Sequence, residues 1–452
     1  MKTLKISLSL MLIFIIIQPQ PVSADNDGKP LSLADSINIA LENSLLIKSA
    51  DEGVSYARAK KKEAGTGFLP MFSASYNYTR LSDDPYVDFP GNPPFMPATT
   101  ITTGTKDNYT LAFEVKQPIF TGGAIYYNYL ANKTGEDVAS QEKRQNVLIV
   151  IEEVKTAYYS ILKAVKVKDA AVKSVEMLKG HRDMAKAYYD VHLVPLNDLL
   201  RAEVEVANAQ RNLLAAENAI EIANANFNTI LRRGINTPVD IIDSFEVVPF
   251  DRGIDECINM AINMRPEMKA AVARQKQSES LLKVEKAGFV PVIGATGRLE
   301  RYGDHPELQG SPYRQQDDWY ISAAATWNFW EWGKTKNRVD AGRARVNQAD
   351  NAILQTGDRI ALEVKRAWLD LKEAEKQVSV TKSMIKSAEE NFRVSSERYK
   401  EQLGTAVDVL DAQSLLTKAR ADYARAVGDY NILMARIERV IGITGNESGG
   451  IK

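Results

Sequence analysis

The chain has 452 residues, with 57 lysines and arginines against 58 aspartates and glutamates, 44% hydrophobic residues and a single cysteine. A formal charge of −1 offers nucleic acid no basic surface, and one cysteine excludes a disulfide framework or a cysteine-based zinc site. His181, His192 and His305 do not fall at metal-ligand spacing, and no nucleophile elbow, phosphate loop or zinc motif occurs, so the sequence gives catalysis no address and implies no metal or cofactor.

In chain order, residues 1–24 carry Lys2 and Lys5, an apolar run from Leu8 to Ile17 and Val22-Ser23-Ala24. This is the pattern of a cleaved secretory signal, with the mature chain starting at Asp25. No later segment approaches the roughly 20 apolar residues of a helical span, so any membrane contact must come from β-strands or a surface. A short helical region leads to a Gly67-Phe68-x-Pro70 break, after which the pattern becomes period two. Phe72, Ala74, Tyr76 and Tyr78 form one face and Ser73, Ser75, Asn77 and Thr79 the other. Tyr109, Leu111, Phe113 and Val115 against Thr110, Ala112, Glu114 and Lys116 form the return strand, giving a predicted hairpin over 71–118. Residues 81–108, with Pro85, Pro90, Pro93, Pro94 and Pro97, read as a long irregular loop.

Helix follows on an unusual scale. No proline interrupts Ala124 to Tyr189, a stretch that would make a helix roughly 100 Å long at 1.5 Å per residue. Val147, Ile151, Val154, Tyr158, Ile161 and Val165 keep the spacing of a heptad seam, and Val150, Ala157, Ala164 and Ala171 make a second stripe. Two seams imply neighbours on both sides of one helix. A turn near His192 to Leu196 leads into a second helix to Leu231, and 234–253 reads as a linker.

The chain then repeats itself. At an offset of 221, Ile37, Asn38, Gly67, Phe68, Pro70 and Arg80 fall on Ile258, Asn259, Gly288, Phe289, Pro291 and Arg301. At an offset of 210, Gly123, Tyr189, Leu193, Asp198 and Ala202 fall on Gly333, Tyr399, Leu403, Asp408 and Ala412. The predicted units are therefore a first structural repeat over 25–233 and a second over 254–443. The second contains a hairpin over 292–329 with a loop at 302–318, a second helical turn near Gln402 to Ala406, and a tail over 444–452. Gly67 and Gly288 are expected to supply unusual backbone geometry, and Pro70 and Pro291 to fix φ, where helix gives way to strand. Cys257 falls among Ile258, Met260 and Ala261 and reads as a small buried core residue. Four alternating strands, apolar on one face, match the transmembrane β-strand pattern, but a barrel needs about eight strands to close, so such a chain must oligomerise. Three copies give the simplest ring. A periplasmic coiled-coil adaptor or scaffold would explain the seams alone.

The segments "LSLADSINIAL", Gly-Phe-x-Pro before each first strand, "QPIFTGG" (Gln117 to Gly123) with its echo "WNFWEWG" (Trp327 to Gly333), and the paired turns "VHLVPLNDLLRAEVEVANAQ" and "EQLGTAVDVLDAQSLLTKAR" occur in order and at duplicated spacing. In this the chain resembles the TolC family of outer-membrane efflux proteins over nearly its whole mature length. The resemblance implies a mixed α/β membrane protein, a homotrimer with a twelve-stranded transmembrane β-barrel continued by a long periplasmic α-helical barrel, and a small equatorial region at 234–253. It implies a non-enzymatic exit duct in outer-membrane lipid, working with a periplasmic adaptor and an inner-membrane RND or ABC transporter in efflux or type I secretion. His192, Leu193, Val194, Pro195, Gln402, Leu403, Gly404 and Thr405 would then form the adaptor-docking tip. By position Tyr399 resembles a latching tyrosine, Asp198 its partner, and Asp408 and Asp411 an aspartate ring at the aperture. Gly404 stands where a latching arginine is usual, and His192 and Gln402 where glycines are usual. Capping or first-turn dipole stabilisation of the following helix is the alternative reading of Asp198, Asp408 and Asp411.

Overall fold

The computed structural model describes residues 30–443, so the expected signal segment, the start at Asp25 and the tail 444–452 lie outside the described residues. The elements run α1 (Leu33–Asn43), α2 (Leu45–Thr66), β1 (Met71–Arg80), β2 (Tyr86–Phe89), β3 (Thr99–Thr102), β4 (Asp107–Phe120), α3 (Ala124–Asp190), α4 (Leu196–Ile230), α5 (Ile254–Met264), α6 (Pro266–Lys286), β5 (Val292–Gly303), β6 (Asp317–Thr326), α7 (Lys334–Lys400) and α8 (Ala406–Ile441). α3 and α7 are each 67 residues long, as the proline-free stretches require. By contacts the chain forms two compact units, one of residues up to 43 with 157–245 and 387–424, the other of 44–156, 246–386 and 425 onward.

The second unit holds the sheet. Its order is β1-β4-β5-β6, antiparallel throughout, so β1 and β6 have a free edge each among the described residues. Register keeps the two faces apart, because a period of two sends alternate side chains to opposite sides. Tyr78 sits opposite Tyr109 with stacked rings 4.7 Å apart, and Ala74 sits opposite Phe113. On the other face Glu114 is opposite Arg298, and Lys116, Glu114, Arg298 and Glu300 form a chain of ion pairs. Residues 81–108 are more ordered than an irregular loop: β2 and β3 pair there as a separate two-stranded hairpin, Val87 opposite Ile101. The prolines flank these short strands or lie in the connection between them, where no ladder donor is lost.

The glycines of the repeated break do a different job from the one expected. Gly67 has an ordinary right-handed helical backbone, φ −59° and ψ −18°. What it needs is space: a Cβ there would stand 3.2 Å from Ile125 Cγ2, and a Cβ on Gly288 would stand 3.1 Å from Thr335 Cγ2. The left-handed backbone appears instead where strand returns to helix, at Gly122 (φ 62°), Gly123 (φ 87°), Trp332 (φ 52°) and Gly333 (φ 79°). Around that second return Trp327, Phe329, Trp330 and Trp332 are exposed.

Below the sheet residues in sequence, the same unit has an apolar core of Phe250, Cys257, Ala261, Ile360, Val364, Leu371, Tyr430 and Ile437, which places Cys257 where its apolar neighbours predict. Charge is buried beside it only in company. Arg265 pairs with Glu267 and Glu363, each at 2.6 Å, and Arg439 bridges Glu363 and Glu152. Residues 246–253 run extended along this core, with Phe250 O accepting from Lys372 at 2.8 Å, Arg252 O from Trp368 at 3.0 Å and Val248 O from Tyr430 at 2.5 Å. In the other unit Tyr158 does the same for Ile242 O at 2.6 Å, and Asn228 donates to Ile235 O and Thr237 O. Several of the linker's carbonyls are thus satisfied by side chains, while Asp240 O accepts from Leu31 N at 2.8 Å in an isolated parallel bridge.

Candidate functional site

The candidate site is the pair of turns that close α3 onto α4 and α7 onto α8, all within the first unit. Both turns have the same backbone. His192 N donates to Tyr189 O at 2.9 Å and Leu193 N to Tyr188 O at 2.8 Å; Gln402 N donates to Tyr399 O at 3.0 Å and Leu403 N to Arg398 O at 2.8 Å. This is the double bond pattern that ends a helix on a left-handed residue. His192 (φ 58°) and Gln402 (φ 57°) occupy that position, although glycine fits it best. The reversal pushes Leu193 (55% exposed) and Leu403 (71% exposed) outward, beside exposed His192, Pro195, Gln402 and Thr405 and half-exposed Val194 and Gly404.

The following helices begin differently. At α8 Thr405 and Asp408 form a capping box: Asp408 Oδ2 accepts from Thr405 N at 3.0 Å and from its hydroxyl at 2.8 Å, while Asp408 N donates to Thr405 Oγ1 at 3.2 Å. Those two bonds hold the Asp408 carboxyl below the usual carboxylate range. At α4 the N-cap is Pro195, which makes no side-chain cap bond. Asp198, the counterpart of Asp408, sits in the first turn of α4 with its carboxylate outside any such box. Asp411 is exposed one turn beyond Asp408. Gly404 is hemmed in, since a Cβ there would stand 3.2 Å from Arg398 Cβ, and Arg398 itself donates to Leu403 O at 3.2 Å.

Behind the turns, Tyr399, Ala406 and Val409 pack with Met184, Tyr188 and Phe392. Tyr399 is 4% exposed, its ring 5.8 Å from that of Tyr188 and 5.1 Å from that of His181. Burial pushes the Tyr399 phenol above its ordinary range, and the negative charge of Asp198 adds to the push. The structure therefore brings Tyr399 and Asp198 within electrostatic reach, but Tyr399 Oη has no hydrogen-bond partner among the described residues. His181 is the residue that motif reading missed. It continues the seam Ser174, Leu178, His181, Ala185, Tyr188, whose spacings of four and three were legible and whose first four members are buried. Scored only as a metal ligand, it looked like chance.

A family model described as outer membrane efflux protein matches residues 36–231 and 257–443. The outer membrane efflux protein BepC of Brucella suis is 19% identical over 409 residues, covering 89% of this chain and 85% of BepC. The outer membrane protein TolC of Escherichia coli is 20% identical over 417 residues, covering 89% of this chain and 80% of TolC. Among solved structures, the outer membrane channel CmeC of Campylobacter jejuni superposes with a TM-score of 0.75 at 17% identity, covering 91% of this chain and 85% of CmeC.

Proposed function

This chain belongs to the outer membrane efflux protein family and lies in the outer membrane with helices directed into the periplasm, and on that premise we propose that it is a passive exit duct of a tripartite efflux pump or type I secretion system. The observation that carries this reading is the open four-stranded sheet. Its strands have 10 to 14 residues, long enough for an outer-membrane span, and both outer edges are unpaired among the described residues. Unpaired edges with an apolar face demand partners. Three copies, joined β1 edge to β6 edge, close a twelve-stranded barrel with no edge left. The face carrying Glu114, Lys116, Arg298 and Glu300 then lines a water-filled lumen, and the exposed Trp327, Phe329, Trp330 and Trp332 sit at a membrane interface. Such a lumen carries solutes without a substrate pocket, and the role is not enzymatic.

In the same reading the chain is two copies of one unit, 25–233 and 254–443, joined by an equatorial linker at 234–253. The helical ends form the periplasmic tip. His192 to Pro195 and Gln402 to Thr405 dock a periplasmic adaptor, which couples the duct to an inner-membrane RND or ABC transporter. Tyr399 and Asp198 hold the tip, and Asp408 and Asp411 narrow it. Purified from outer membranes and reconstituted in a planar bilayer, the protein should run as a trimer and conduct ions in discrete steps; a monomer without conductance would contradict the duct.

A further inference from the structure

Two buried polar atoms behind the turns have no hydrogen-bond partner among the described residues: Nε2 of His181 and Oη of Tyr399. His181 is 7% exposed, and its ring lies 5.1 Å from that of Tyr399 at an interplanar angle of 52°. The pair is enclosed by four helices. From α4, Asp198 acts on both rings. From α7 comes Tyr399 itself, and α8 contributes apolar Ala406 and Val409 against Tyr399. On α3, Tyr188 packs on Tyr399 and gives its hydroxyl to Lys400 O at 3.4 Å, while Arg182 and Asp183, next to His181 in sequence, pair with each other at 2.5 Å.

We propose that His181, Tyr399 and Asp198 form a proton-sensitive latch that keeps the helical ends packed while His181 is neutral and lets them part when the periplasm acidifies. This rests on the reading of the turns as the closed end of a duct. A neutral imidazole tolerates the pocket with one ring nitrogen bare, because the surrounding side chains pack against it. An imidazolium carries two N–H donors and a charge, and a packed pocket that leaves Nε2 without an acceptor favours admitting water. Burial, the larger cause, drives the imidazole below its ordinary value, and Asp198 pulls the other way. The sign follows from linkage. A histidine held lower in the packed state than in the hydrated state leaves packing fully stable above the ordinary value of about 6.5 and weakens it as pH falls below that. Protonation of Asp408, which its Thr405 bonds hold low, also loosens the start of α8, but only as pH falls below the ordinary carboxylate value of about 3.9, so the two responses are separated by pH.

The test uses the full chain with Val194→Cys, spin-labelled; the native Cys257 is buried and does not compete. Label distances between protomers and single-channel conductance are recorded from neutral pH down through the imidazole range. Distances should lengthen and conductance should rise severalfold with acid. His181→Gln should abolish both responses, and so should His181→Phe, which fills the pocket and takes no proton. Asp198→Asn should enlarge them by removing the charge that favours the packed imidazolium. Distances and conductance that ignore acid in the unaltered background, or a wild-type response retained in both histidine variants, overturn the latch. Labels that part with acid in a protein that conducts at no pH support the latch and overturn the duct.

Discussion

The two helical turns share a backbone and part company in their aspartates. Tyr189, His192, Pro195 and Asp198 stand 210 residues before Tyr399, Gln402, Thr405 and Asp408, and the two reversals use the same pair of backbone bonds. In the second turn Thr405 gives Asp408 a local task, capping α8. In the first, Pro195 has no hydroxyl to offer, and the Asp198 charge reaches across to His181 and Tyr399. The N-terminal end of each turn differs too, since Arg398 ties Leu403 O while its counterpart Tyr188 bonds Lys400 O. One N-cap position therefore decides whether the carboxylate three residues beyond it stabilises its own helix or acts on a neighbouring one.

Metal block should depend most strongly on the difference between the two turns. Three protomers presenting Asp408 and Asp411 around one axis should bind di- or trivalent cations added from the periplasmic side, because converging carboxylates favour compact high charge. Replacing both with alanine should abolish the block, recorded as current in planar bilayers. Because both Asp408 contacts at Oδ2 are spent on Thr405, Asp411→Asn alone should remove most of it and Asp198→Asn none. Block that survives the double replacement places the constriction elsewhere. A smaller effect sharpens the capping half of the contrast. Thr405→Ala should speed amide exchange in the first turn of α8 about fivefold, the usual size of losing an N-cap. Pro195→Ala should leave the first turn of α4 within a factor of about two, since no cap bond is lost there. Equal acceleration in both turns would mean that the box contributes nothing.

Much of the molecule was legible because periodicity and punctuation agreed. The alternation in Phe72 to Thr79 and the missing prolines between Ala124 and Tyr189 each leave one element to form. β2 and β3 escaped notice because four-residue strands among five prolines carry almost no periodic signal. Gly67 and Gly288 were legible as special but not as to why, since crowding by Ile125 and Thr335 is a tertiary fact. The turns could be placed from the repeat, whereas the division of labour between Asp198 and Asp408 depends on which side-chain oxygen lies within reach. His181 needed a seam to be followed past the point where its residues stop being aliphatic.

In the proposed duct the sheet crosses the outer membrane while both turns face the periplasm. Single cysteines placed at Asn92, Gln309, Val194 and Gln402 test it against a low background, because Cys257 is buried. With an impermeant thiol reagent on intact cells, Asn92→Cys in the β2–β3 hairpin connection and Gln309→Cys in the β5–β6 loop should label. Val194→Cys and Gln402→Cys should stay protected until the outer membrane is permeabilised. Labelling of either turn on intact cells, with both loops protected, would contradict it.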